Sequence, residues 1–344
     1  MIRRHWLAAH LRSIAIAGVG ASLAAIAAVA QAQDRQPTTV RYTEVIRSIF
    51  YLPSYVAIEK GFFAQEGLKV DLSTAWGSDK AIAQLVGGHV DVALLGPESA
   101  VYIQTSPSPD KAKIFASLTA TDGRFLVARQ PVPDFRWDLL KGRTVLGWRK
   151  GTTPQLVDDA VMRKRGLDPD KDLNYLTNVP PPALMGAWQS GVGDFATFFE
   201  PDVSRIEQEG RGHAVASIGR ELGEVDYTAF MAMESFIGKS PDVIQRWTNA
   251  IARAQAWVQQ ADPKEAAKLV TKYFPQLDVE LIASSIERNR RHGIWKKDPL
   301  LEAAAIDRMQ ELMIAGGTMK PEQRIKYESV VAAGFAEKAR SAVR

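Results

Sequence analysis

Residues 77–102 read GSDKAIAQLVGGHVDVALLGPESAVY, and this stretch decides the fold. Gly77 and Ser78 precede a helix whose apolar positions Ala81, Ile82, Leu85 and Val86 share one face, and Gly87-Gly88 ends it. The strand Val90 to Leu95 is continuously apolar after Asp91, as a parallel strand covered on both faces should be. It stops at Gly96-Pro97-Glu98, where a second helix opens. Two helix N-termini therefore open at one sheet edge. Their unpaired N–H groups and partial positive charge can hold a small polar or anionic ligand without a side-chain base or a metal.

Working outward, the strand Thr39 to Val45 is followed by a loop, Ile46 to Leu52, and by a helix opened by Pro53 that carries Val56, Ala57, Phe62 and Phe63. Glu66-Gly67-Leu68 ends it, and a strand, Lys69 to Ala75, leads into the opening stretch: β-α-β-α-β. About a hundred residues later the plan returns. Strand Thr144 to Trp148, loop Arg149 to Thr153 and a helix from Pro154 to Gly166-Leu167 come first. Strand Leu173 to Val179, helix Ala183 to Ser190 and strand Asp194 to Phe199, ending at Glu200-Pro201, complete it. Pro53 pairs with Pro154, Gly67 with Gly166, Gly88 with Gly191, Asp91 with Asp194, Ala93 with Ala196 and Pro97 with Pro201, at offsets from 99 to 104. Whether this is a duplication or a coincidence of helix-end chemistry, it gives two βαβ sheets whose carboxyl-end loops form one rim.

Between the halves, the strands Ile114 to Leu118 and Phe125 to Ala128 flank Thr121-Asp122-Gly123-Arg124, with Pro131 and Pro133 marking an exit; this is a first crossing. After the strand Tyr227 to Met233 the pattern is helical. Pro241, Pro263, Pro299 and Pro321 sit where helices should start, with Ser240, Asp262 and Asp298 as caps. Four or five such helices, having no strands of their own, are expected to pack on the first lobe. The expected division is a lobe of residues 33–128 and 226–344, and an inserted lobe of residues 129–225, joined by a two-strand hinge that closes around a ligand.

Length, at 344 residues, and an apolar fraction of 46% allow two domains. Residues 1–32 read as a secretory signal: Arg3, Arg4 and Arg12 precede the apolar run Ile14 to Ala30, and Ala30-Gln31-Ala32 offers a small-x-small cleavage site. The other reading, a membrane anchor, is disfavoured by its shortness and by the polar Gln33 to Pro37 that follows. Without those arginines the net charge falls from +4 to +1, so no nucleic-acid footprint is expected. There is no cysteine, hence no disulfide framework and no acceptor for a lipid anchor. A soluble periplasmic protein, monomeric and without cofactor, is the expectation.

Chemistry motifs are missing. There is no HExxH, no GxSxG elbow, no GxxxxGK[ST] loop and no cysteine nucleophile, and His89, His213 and His292 are scattered. No catalytic or metal-ligating residue is assigned.

The segments YLPSYVAIEKGFFAQEGLKVDL, GSDK through GGHVDVALLGPE, TDGRFLVAR, LKGRTVLGWRKGTTPQ and GVGDFATFFEP give the chain its resemblance to a known family. It resembles the periplasmic substrate-binding proteins of ABC importers for nitrate, alkanesulfonates, taurine and thiamine-precursor pyrimidines. The resemblance implies an α/β type II periplasmic binding fold, a solute held between two lobes, and delivery to an inner-membrane permease.

Carried over by position, the resemblance lines the cleft with Ser48, Phe50, Tyr51, Trp76, Gly77, Ser78, Gly96, Pro97 and Glu98 from the first lobe, and Thr121 and Asp122 from the hinge. The second lobe supplies Arg149, Gly151, Thr152, Thr153, Phe198 and Glu200, and the return strand Tyr227. Each has a plainer reading: Phe50, Tyr51 and Trp76 as packing, Glu98 and Glu200 as partners of helix dipoles, Arg149 as surface charge. Of the two carboxylates, Glu200 is the one favoured for ligand contact. An Arg fork suits a sulfonate, whereas aromatic faces with a carboxylate suit a heterocycle, which is the reading preferred here. Two other classes stay open: a ligand sensor serving a signalling receptor, and a lyase or synthase of the same fold. Fungal pyrimidine synthases resemble these proteins but use a cysteine-rich iron motif that this chain lacks.

Overall fold

The computed structural model describes residues 36–343, so the expected signal segment lies outside the described residues. Strand β1 (Thr38–Glu44) leads through a tight turn, Ile49–Tyr51, into α1 (Leu52–Glu59), with Pro53 in the first turn where an N–H is not needed. Next come α2 (Phe62–Gln65), β2 (Leu68–Thr74), α3 (Ser78–Val86), β3 (Val92–Leu95), α4 (Glu98–Thr105) and β4 (Ala112–Thr119). The chain then crosses to β5 (Phe125–Ala128), β6 (Thr144–Leu146), α5 (Thr153–Lys164), β7 (Asn174–Leu176), α6 (Pro181–Gln189), β8 (Phe195–Phe198), α7 (Asp202–Gln208), β9 (His213–Ser217) and α8 (Ile218–Leu222). It returns as β10 (Thr228–Met233) and closes with α9 (Glu234–Lys239), α10 (Pro241–Gln260), α11 (Pro263–Val270), α12 (Val279–Arg291), α13 (Ala303–Ala315), α14 (Tyr327–Val330) and α15 (Gly334–Val343).

The strands form two five-stranded sheets, β2-β1-β3-β10-β4 and β7-β6-β8-β5-β9. Strand β3 runs parallel to β1, with Tyr42 opposite Val92, and is buried throughout, as its unbroken apolar run requires. Each crossing donates one antiparallel strand to the sheet it enters. Strand β10 lies between β3 and β4 with Phe230 opposite Leu94, and β5 lies between β8 and β9 with Phe125 opposite Phe198. The sheets thus divide before Phe125, not after Ala128, because the first crossing is complete at Arg124. Thr121 ties the two crossings together, its hydroxyl donating to the Gly223 carbonyl (2.6 Å) and the Gly219 carbonyl (3.2 Å).

The first sheet packs on α10 through Trp247, which is fully buried and meets Tyr42 edge-on at 5.2 Å and Phe230 at 5.7 Å. Burying each such side chain contributes about 1.5–3 kcal/mol or more. In the second sheet Trp188 of α6 packs on Phe198 at 6.0 Å, with the Arg129 guanidinium 3.9 Å from the centre of its ring.

Three expectations are corrected. Strand β9 was not anticipated: His-Ala-Val-Ala-Ser is short and only half-buried, so it shows neither alternation nor an apolar run. Among the proline-marked starts, Pro241 and Pro263 open helices, and Asp262 caps as expected, accepting from the N–H groups of Lys264 and Glu265. Pro299 lies before α13, with Asp298 folding back onto the Leu300 N–H, and Pro321 opens only the single turn Pro321–Gln323. Finally, the closing helices α9 to α15 are seven among the described residues, and they reach the second half as well as the first: α12 contacts α7, and α13 contacts α5.

Candidate functional site

The rim joins the loops after β1, β2 and β3 to those after β6, β7 and β8. Its central cavity holds about 40 Å³, with Tyr51, Gly77, Ser78 and Gly96 on the first side and Trp148, Arg149, Thr152, Thr153 and Phe199 on the second. Tyr227 and Thr228 of the return strand complete the wall. A second chamber of about 60 Å³ shares Ile46, Trp148, Pro181 and Phe199 with it and extends past Arg47, Ser48 and Trp76. Trp76 takes a left-handed backbone (φ 57°) and leaves its indole 43% exposed at this rim.

Four polar contacts bridge the two sides. Glu98, buried at the start of α4, accepts from the Thr153 N–H (3.2 Å) and the Thr153 hydroxyl. Arg149 forms an ion pair with Asp79 at 2.7 Å. The Tyr102 hydroxyl donates to the Gly151 carbonyl (2.9 Å), and the Ser48 hydroxyl donates to the Glu200 carbonyl (2.6 Å). At Gly96 a side-chain carbon would overlap both the Thr153 hydroxyl and the Glu98 carboxylate, so only glycine permits this approach.

The electrostatics favour an anion. The first residues of α3 and α5 (Ser78 and Thr153) line the cavity, so two helix N-termini meet there with the Arg149 guanidinium, while α6 enters through Pro181, which has no N–H to offer. The Tyr227 hydroxyl is buried and has no hydrogen-bond partner among the described residues. Burial holds the Glu98 carboxyl above the usual carboxylate range, against the hydrogen bonds it accepts from Thr153 and the helix backbone.

Other expected residues sit elsewhere. Phe50 is fully buried beneath the rim against Phe199 (4.8 Å) and Tyr227 (5.6 Å). Phe198 borders the outer chamber but packs in the core on Trp188. Pro97 is the residue before α4, and Gly151 (φ 80°) shapes the turn before α5. Thr121 serves the crossings. Asp122, buried, holds Arg124 through both carboxylate oxygens (2.6–3.1 Å), and Arg124 also pairs with Asp158 (2.8 Å) and donates to the Pro154 carbonyl (2.8 Å). This ion network fixes the start of α5 to the first crossing. The Glu200 carboxylate turns away from the central cavity: it takes the Ser204 N–H and hydroxyl, the Ser285 hydroxyl and Arg288 (3.1 Å). That is the helix-end role, joined to an ion pair from α12.

Trp148, Phe199, Pro181 and Arg124 were missed as site-building residues. Trp148 could have been found, since it ends an apolar strand immediately before Arg149. Arg124 gave no signal, because its partners lie 2 and 34 residues away.

Two facing α/β halves, joined by two crossings and sharing one rim, define a type II periplasmic binding fold. The chain belongs to the NMT1-like family, which matches it over residues 44–272. It is 40% identical to YtlA of Bacillus subtilis over 95% of this chain and 98% of that protein. The taurine-binding periplasmic protein of Escherichia coli is 24% identical, over 74% of this chain and 79% of that protein. The periplasmic nitrate-binding protein NrtA from Synechocystis PCC 6803 superposes with a TM-score of 0.74 at 17% identity, covering 90% of each chain.

Proposed function

We propose that the protein is a periplasmic solute receptor that captures a small anion between its two halves and delivers it to the permease of an ABC importer, acting as a monomer and without cofactor. The observation that carries this reading is the convergence of the α3 and α5 N-termini and Arg149 on one cavity. Such a site offers donors and positive potential but no group placed to break a bond. The relatives named for taurine and nitrate support an anion, and chambers of about 40 and 60 Å³ suit a nitrate-, carboxylate- or sulfonate-sized head group.

Trp148 and Phe199, packed edge-on with ring centres 5.3 Å apart, line both chambers and favour a second reading, an aromatic heterocycle of the thiamine-precursor type. Calorimetric titration with nitrate, bicarbonate, taurine and an aminopyrimidine separates the two: an anion that binds in the micromolar range supports the proposal. Binding of the pyrimidine alone transfers it to the second reading, and turnover of any of them makes it an enzyme. Among the described residues no helix is long and apolar enough to cross a membrane, so delivery would require a separate permease. A signalling receptor in place of a permease would use the same closure, and co-purification of the membrane partner separates these.

A further inference from the structure

A cavity of about 970 Å³, away from the rim, forms a groove on the flank of the second sheet, between the edge strand β9, helix α8 and the end of α12. Its volume lies in the range of small-molecule sites. Phe125, Phe135 and Trp137 supply apolar wall, and five arginines line it. Three are neutralised in place: Arg136 by Asp138 (3.2 Å), Arg165 by Glu221, and Arg288 by Glu207 (2.5 Å). The remaining two, Arg220 on α8 and Arg291 at the end of α12, have no carboxylate partner among the described residues. His292 lines the same groove, packed edge-on against Phe125 at 4.9 Å, with Nδ1 buried and without a hydrogen-bond partner among the described residues.

We propose that this groove is a second binding site, distinct from the rim, for a multivalent organic anion whose charged groups span Arg220 and Arg291 and hydrogen-bond to His292. A monovalent head group would leave one guanidinium unmatched, whereas two carboxylates or a phosphate ester satisfy both in forked geometry. Uncompensated positive potential is registered locally: burial and then the charges of Arg220, Arg291 and Arg288 hold the imidazole down to about 4. A neutral ring at pH 7 keeps one N–H to donate. Helix α8 is tied to the first crossing through the Gly219 carbonyl that Thr121 binds, while Arg291 ends α12.

The test is calorimetry on the mature chain with citrate as probe, in wild type, in Arg220→Gln/Arg291→Gln, and in Thr153→Val at the rim. Citrate should bind wild type and Thr153→Val alike, and at least tenfold more weakly to the double variant, whose melting temperature reports that it is folded. Should the double variant not fold, Arg220→Lys/Arg291→Lys replaces it, with weakened binding expected from loss of the forks. No citrate binding to wild type, loss in Thr153→Val instead, or undiminished binding to the arginine variants would overturn the site. Loss in Thr153→Val alone would move citrate to the rim and so support anion capture there, while the outcomes at the arginine variants leave the rim reading untouched.

Discussion

Glu98 and Thr153 begin helices on opposite sides of the rim and meet through two hydrogen bonds, from the Thr153 N–H at 3.2 Å and from its hydroxyl. Both groups are buried, and separating the two sides of the rim would break this contact. Thr153→Val removes the hydroxyl bond and keeps the shape. A net loss of about 1 kcal/mol is expected to weaken solute binding about fivefold with an unchanged melting temperature of the solute-free protein. Calorimetry beside a thermal melt checks this, and a stability loss without an affinity loss would contradict it.

Arg149 and Asp79 also bridge the rim, but Asp79 is 61% exposed. An exposed pair contributes about 0–1 kcal/mol and is screened by salt. Asp79→Asn should therefore change solute affinity by less than about fivefold, whereas Arg149→Ala, which strips the only guanidinium from the central wall, should weaken an anion at least tenfold. Equal effects of the two variants would mean that Arg149 acts as a latch and not as a ligand.

The Glu200 carboxylate is spent on Ser204, Ser285 and Arg288. Glu200→Ala should remove one of the two carboxylates on Arg288, Glu207 remaining, together with the Ser204 and Ser285 bonds, and lower stability by about 1.5–3 kcal/mol, while the Ser48 bond to the Glu200 backbone carbonyl survives. Urea unfolding should show the loss and calorimetry a nearly unchanged solute affinity. The reverse pattern would return Glu200 to the binding site.

Buried carboxyls dominate the pH dependence. Burial pushes Glu44 up to about 7, against the attraction of Arg47 and bonds from Tyr55 and Thr74, and it pushes Asp159 and Asp202 to about 6. The native state therefore binds protons that the unfolded chain has released, so these groups make stability fall as pH rises from about 4.5 to about 7. His292, held to about 4, acts oppositely over about pH 4 to 6.5. Burial also raises Glu98, Asp158, Glu200 and Asp226, so with the carboxyls outweighing one imidazole the melting temperature should be higher at pH 5 than at pH 8, and Glu44→Gln should shrink the difference. A higher value at pH 8 would contradict this.

The sequence carried much of the frame because glycine, proline and unbroken apolar runs report local geometry: Gly87, Pro53 and Val92 to Leu95 sit where their chemistry puts them. The antiparallel sense of β5 and β10 was not legible, since a strand buried on both faces looks the same in either direction. Rim backbone was readable at Gly77, Ser78, Gly96 and Thr153, where helix starts are encoded by small and polar residues. Side-chain direction was not. Glu200 turns to α12, 85 residues further along the chain, and Arg124 organises three segments that no local pattern connects.

The central claim is that the halves close on a small anion, and Gly96 gives direct access to it, because a methyl group there would overlap Thr153 across the rim. Small-angle scattering of wild type and Gly96→Ala should be recorded with nitrate, bicarbonate and taurine added in turn. The account predicts that at least one anion makes wild type more compact and that Gly96→Ala does not respond. No compaction of wild type by any anion, or the same compaction in both proteins, would contradict it.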